Sequence, residues 1–253
     1  MKDKNWWQVK NLKKSEEDIL KIENIDDLEK PGIGDFGSYR KILKGENIQN
    51  TMLASHNDLN SKNKILFINK LTPFKNNDDL SILDVGCGVG FTSFELSKFY
   101  KNSKVTGVDI SSDGIKYATQ NFKNIEFICQ GVEPNNPPLG YYDLVFCFEF
   151  YPFTRTNSFQ THKDYLDYFL VQLKKHGRLV IHQVWGHNSS ITKNICELKK
   201  EFNEYNFETY KVPHAKIIGF FGNNFLSILV DMILRFILRK AHSKAIIIYK
   251  RKI

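Results

Sequence analysis

The stretch Ile82-Leu83-Asp84-Val85-Gly86-Cys87-Gly88-Val89-Gly90-Phe91-Thr92 decides the fold. A short apolar run enters a glycine-punctuated turn, and helix-forming residues follow. Glycine permits the tight turn and lets a ligand approach main-chain N–H groups, while the next helix presents its positive end to an anion. The dinucleotide pattern GxGxxG would require glycine at position 91, where this chain has Phe91, and the third glycine falls instead at Gly90. NAD is therefore disfavoured.

Working outward, short apolar runs at Ser81–Val85, Lys104–Asp109, 125–129, 144–148 and 178–184 alternate with helical stretches at 92–100, 112–122 and 164–175. That alternation predicts βαβ units and a parallel sheet. The tail adds a helix at 191–202, an apolar amphipathic stretch at 225–238 and a strand at 245–249. Upstream, Ser15 caps a helix carrying Ile19, Ile22, Ile25 and Leu28, which Pro31-Gly32 stops. A further helix is expected at 58–71, closed by Thr72-Pro73. With 253 residues, 42% hydrophobic and 25% charged, the chain has material for a full core, and disorder and fibre are excluded.

Asp84-x-Gly86-x-Gly88-x-Gly90 after an apolar strand resembles motif I of the class I S-adenosylmethionine-dependent methyltransferases. Val105-Thr-Gly-Val-Asp109-Ile-Ser supplies a second strand ending in an acid, where that family places its ribose-binding carboxylate. The resemblance implies an α/β, doubly wound, mainly parallel seven-stranded sheet (the Rossmann-like methyltransferase fold) with an N-terminal helical lid. Residues 1–56 would form the lid and 57–253 the cofactor-binding catalytic domain, with a helical insertion at about 213–240. The implied cofactor is S-adenosylmethionine, leaving as S-adenosylhomocysteine. Asp84 belongs to the implied cofactor-binding set; Gly86, Cys87, Gly88 and Gly90 would hold the cofactor's amino-acid end mainly through backbone atoms, Asp109 its ribose hydroxyls, and Ile110 would pack on adenine. Many members carry an acid after the third strand for the adenine amino group; here Val132 and Glu133 stand there. Phe148, ending the fourth strand, would lie against the cofactor near the methyl group.

A hydroxyl acceptor must lose its proton as the new bond forms, and histidine suits that task near neutral pH. His182, at the carboxyl edge of the fifth strand, is the first candidate base, with Glu149 and His187 as competitors. Tyr151, Phe153 and Trp185 are expected to wall the acceptor pocket, and the lid segment brings Tyr39 and Arg40 towards substrate. No metal is expected, because a carboxylate cluster is missing after the fourth strand.

The formal charge is +8, from 36 basic and 28 acidic residues, and the excess is largely C-terminal: Arg235, Arg239, Lys240, Lys244, Lys250, Arg251 and Lys252 follow Met232 with no acid among them. Nucleic acid is not the expected partner, since Asn136-Pro137-Pro138-Leu139 precedes the fourth strand and lacks the aromatic of DNA methyltransferases. The stretch beginning at Phe225 is interrupted by Asp231 and Arg235 and is too short to span a bilayer, so a buried helix or subunit contact is preferred to an interfacial one. Cys87, Cys129, Cys147 and Cys196 form no CxxC pair and read as buried, reduced thiols. The polar N-terminus lacks an apolar signal region, so the expected location is cytoplasmic. The acceptor best fitting this outline is a small polar molecule, a sugar or nucleotide-sugar hydroxyl of bacterial surface-polysaccharide or natural-product synthesis. The alternatives are a membrane-associated quinone or lipid acceptor, or a cofactor-binding protein without activity; a homodimer is left open.

Overall fold

The computed structural model describes residues 58–154, 157–183, 191–238 and 243–251. In chain order these form α1 (Asp58–Asn69), β1 (Ser81–Val85), α2 (Phe91–Phe99), β2 (Lys104–Asp109), α3 (Ser112–Asn121), β3 (Glu126–Cys129) and β4 (Tyr142–Phe148). Then come α4 (Tyr151–Thr154), α5 (Phe159–Leu170), β5 (Leu173–Gln183), α6 (Ile191–Glu201), β6 (Tyr205–Val212), α7 (Ala215–Phe221), α8 (Phe225–Ile237) and β7 (Ser243–Lys250).

The strands make one seven-stranded sheet in the order β3-β2-β1-β4-β5-β7-β6. Pairing is parallel from β3 to β5, and β7 runs antiparallel between β5 and β6. Chain order reverses between β1 and β4, and such a switch point opens a crevice beyond the strands' carboxyl ends. Both faces are covered, so the central strands read as continuous apolar runs. On one face Leu83, Val85, Val145, Cys147, Leu179 and Ile181 pack with Leu166 and Phe169 of α5 and Leu198 of α6. On the other, Ile82, Leu144, Phe146, Val180 and Ile247 pack with Ile65 and Ile68 of α1, Leu96 of α2 and Ile218 of α7.

Four expectations need correction. The helix expected at 164–175 runs instead over Phe159–Leu170, because the Ser158 hydroxyl accepts from Thr161 N–H and starts it earlier. Leu173 already pairs with Tyr142, so β5 begins where helix was expected. Strand β6 was not foreseen: it is an edge strand whose residues alternate only loosely between buried and partly exposed. Two of the four cysteines are exposed, Cys129 and Cys196, while Cys87 and Cys147 are buried; all are free thiols. Finally, α8 is not a buried helix, since only Ser227 and Asp231 among its residues are buried. No helix of the described residues is long and apolar enough to cross a membrane. The expected lid, residues 1–56, lies outside the described residues.

Candidate active site

The glycine turn is held open by its neighbours. Gly86 and Cys87 donate their N–H groups to the Val108 carbonyl at 2.8 and 3.1 Å, tying the turn to β2. Gly88 N–H donates to Asp109 Oδ2 at 2.8 Å. Gly90 has φ of +84°, and a Cβ there would stand 2.9 Å from both Ala118 Cβ and Phe127 Cζ. Gly86, with φ of +71°, would bring a Cβ to 3.2 Å from Phe150 Cδ2. Side chains at these two positions would therefore meet both backbone strain and occupied space. Gly90 also begins α2 without a side-chain cap, whereas Ser111, Ser158 and Asn224 cap α3, α5 and α8. The Ser93 N–H of this first turn is directed at the Asp84 carboxylate, and the positive end of α2 favours an anion.

Two buried carboxylates flank this turn. Asp109 ends β2, and its second oxygen, Oδ1, accepts from Ser111 N–H at 2.8 Å. Burial raises its pKa, opposed by the backbone donors of Ser111, Gly88 and Ile110. Asp84 Oδ2 accepts from the Ser93 hydroxyl at 2.6 Å, while Oδ1 is buried with no hydrogen-bond partner. Burial pushes Asp84 up to about 7, the Ser93 bond opposing and the Asp109 charge adding to the rise. The same burial, with both carboxylates close by, pushes the Cys87 thiol well up. A ligand carrying a cationic sulfonium and ammonium next to a carboxylate fits this donor set: two acids, an orphaned acceptor oxygen, and an uncapped helix start.

Beyond Asp109, Ile110 lies over Gly131, where a Cβ would meet Ile110 Cδ1 at 3.2 Å. Val132 is buried and its carbonyl accepts from the Tyr165 hydroxyl at 3.1 Å, while Glu133 is exposed at the surface. Ile110 is partly exposed and presents an apolar side chain beside Gly131.

At the ends of β4 and β5, Phe148 and His182 are paired in register and their ring centroids lie 5.0 Å apart. His182 is fully buried, and its backbone carbonyl accepts from Glu149 N–H at 3.0 Å. Glu149 is partly exposed and has φ of +49°, the one non-glycine residue with positive φ among the described residues. Strained backbone of this kind clusters at functional sites. Opposite it stands Lys64 of α1, a residue with some exposure but an enclosed ammonium: burial drives its pKa down to about 8, and the Glu149 carboxylate opposes that fall. Tyr151 is half-buried. Phe153 is not a pocket wall; it is wholly buried among Phe150, Tyr165 and Phe169, because its place on the short α4 turns it into the core under α5. Tyr39, Arg40, Trp185 and His187 lie outside the described residues.

Lys64 and Ser93, which adjoin Glu149 and Asp84, were not singled out from sequence. Ser93 sits near the start of the helix that follows the glycines and could have been found as the hydroxyl nearest Asp84. Lys64 gives no such signal, since one lysine in a polar helix resembles any other. Among the described residues no group of three or more His, Cys, Asp or Glu side chains is placed to hold a metal ion.

A family model described as a methyltransferase domain matches residues 76–237, more than half of the chain. Among curated proteins, the malonyl-[acyl-carrier protein] O-methyltransferase of Bacillus cereus is 39% identical over 56 residues, covering 21% of each chain. That of Acetivibrio thermocellus is 32% identical over 100 residues, covering 39% of this chain and 29% of its own. The chain thus spans only about a fifth to a third of the length of these relatives. Among solved structures, the plantazolicin methyltransferase BpumL in complex with S-adenosylhomocysteine superposes with a TM-score of 0.57 at 16% identity, covering 98% of this chain and 97% of that one. The magnesium protoporphyrin IX methyltransferase of Synechocystis, with bound S-adenosylmethionine, gives 0.55 at 15% identity, with 89% and 94% covered. At such identities the likeness establishes the fold alone. With the family match, the glycine turn and the paired acids in agreement, the chain belongs to the class I S-adenosylmethionine-dependent methyltransferases.

Proposed function

We propose that the chain methylates an oxygen acceptor, and that the acceptor is a hydroxyl of a small polar molecule such as a sugar or nucleotide sugar. The observation that carries the hydroxyl is Glu149. A partly exposed carboxylate, held at a strained backbone position where β4 ends, would take the proton from an acceptor hydroxyl. When bound, the cofactor supplies an electrophilic methyl carbon on a positively charged sulfur. The chain's own part is to align the acceptor with that carbon, exclude water and receive the proton. Glu149 takes precedence over His182, which is wholly buried against Phe148. The enclosed Lys64 ammonium stands within electrostatic reach of the Glu149 carboxylate.

A second reading is a carboxylate acceptor, favoured by the partial matches to malonyl-[acyl-carrier protein] O-methyltransferases. A carboxylate arrives already deprotonated and needs no base, which separates the two readings. The test is methyl transfer from labelled S-adenosylmethionine to a panel of nucleotide sugars, free sugars and acyl-carrier carboxylates, with Glu149→Gln alongside. Loss of turnover on the order of 10²-fold or more in the variant, at unchanged cofactor affinity, is expected for a hydroxyl acceptor. Transfer to carboxylates alone, undiminished in Glu149→Gln, would replace the first reading with the second. Cofactor binding with no transfer to any acceptor would point to the inactive cofactor-binding reading.

A further inference from the structure

Helix α8 is built inside out. Its polar residues Ser227, Asp231 and Arg235 recur every four positions and face the protein. There Asp231 Oδ1 accepts from His214 N–H at 2.9 Å and Oδ2 accepts from Arg235 Nε at 2.7 Å. The opposite face carries Phe225, Leu229, Met232, Ile233, Phe236 and Ile237, all exposed, with Phe225 at 75% and Phe236 at 85%. An apolar helical stripe ordinarily seeks the core, and a contiguous apolar patch of this kind marks an interaction surface.

The charge around the patch says what covers it. Asp231 is the only acid on α8, and it is buried and paired. The flank is basic: Lys211 Nζ lies 3.7 Å from Met232 Sδ, and Lys70 Nζ donates to the Asn223 carbonyl at 2.6 Å, just before α8 begins. In sequence, Arg239 and Lys240 follow directly. A second copy docked through an isologous contact would crowd Lys70 and Lys211 of both copies into one interface, whereas an anionic lipid surface would neutralise them. At 13 residues the helix is about 20 Å long, which suits it to lie in an interface rather than to cross one. We propose that α8 docks the enzyme peripherally on an anionic membrane, its apolar face in the acyl boundary and its basic flank against the headgroups.

The test is co-sedimentation of the full chain with vesicles of phosphatidylcholine alone and of phosphatidylcholine mixed with phosphatidylglycerol, at low and high salt. Leu229→Glu and Phe236→Glu alter only outward side chains, and Val171→Glu, at an exposed apolar residue away from α8, is the control. Binding to the anionic vesicles that weakens with salt and falls about tenfold or more in both α8 variants, but not in Val171→Glu, is expected. Absence of vesicle binding at low salt would overturn the proposal, as would equal binding by all variants. A dimer in sedimentation velocity that Phe236→Glu abolishes, without vesicle binding, would assign the patch to a second copy instead.

Discussion

Asp84→Asn tests the electrostatics of the site most directly. Burial holds the Asp84 carboxyl at about 7, against an ordinary value of 3.8. An acid with a raised pKa binds more protons folded than unfolded over that interval, so it lowers stability as pH rises from about 4 to about 7 and adds no further slope above. At 1.36 kcal/mol for each pH decade, the full loss is about 4 kcal/mol. The group is wholly enclosed, so solvent screening takes little from this figure. Asparagine keeps an acceptor for the Ser93 hydroxyl and removes the ionisation. Urea unfolding of both proteins should be measured at intervals between pH 4.5 and 8. The variant's stability relative to the parent should rise steadily with pH, by a few kcal/mol in total, and level off above neutrality. Titrating groups that do not interact with Asp84 cancel in that difference. A difference that stays constant across the range would refute the reasoning, because Asp84 would then be ionised in the fold throughout.

Three further outcomes are expected. Asp109→Ala removes the acceptor of Gly88 and Ser111 N–H, so it should abolish measurable S-adenosylmethionine binding in calorimetry and cost about 2–4 kcal/mol in unfolding free energy. Unchanged affinity would remove Asp109 from the ribose contact. Gly90→Ala places a methyl group 2.9 Å from two neighbours at positive φ, and should destabilise by about 2–5 kcal/mol, read as a lowered urea midpoint at unchanged slope. Alkylation of the native protein followed by peptide mass spectrometry should modify Cys129 and Cys196 well before Cys87 and Cys147, which should react only after unfolding.

The cofactor half of the site was largely legible because its signals are local. A glycine turn needs particular residues at particular backbone positions, and Gly86, Gly90 and Asp109 sit where the spacing put them. The proposed acceptor half was less legible because it is assembled from distant elements. Lys64 comes from α1, Glu149 follows β4 and His182 ends β5, and no sequence spacing encodes that meeting. Aromatic residues near β4 showed the same limit. Phe153 and Tyr151 are two positions apart, yet the short helix between strand and core buries one wholly and leaves the other partly open. The alternation that announces a central strand fails at an edge, which is why β6 went unseen. For α8, the apolar stripe was plain, but periodicity alone does not say which side of a helix meets the protein.

The insertion of β7 between β5 and β6 has a consequence for synthesis. On the ribosome the chain emerges from the N-terminus at about 5–20 residues per second. Strands β1 to β5 can assemble in that order, but among the described residues β6 has no partner in that set and pairs with β7 alone. The free edge of β5, with His182 opposite Ala245, likewise waits for the stretch from Ser243 to Lys250. Until then β5 presents unpaired backbone groups and apolar side chains such as Leu179 and Ile181. This nascent intermediate is the form in which the protein is most exposed to chaperone capture or to pairing with a neighbouring chain.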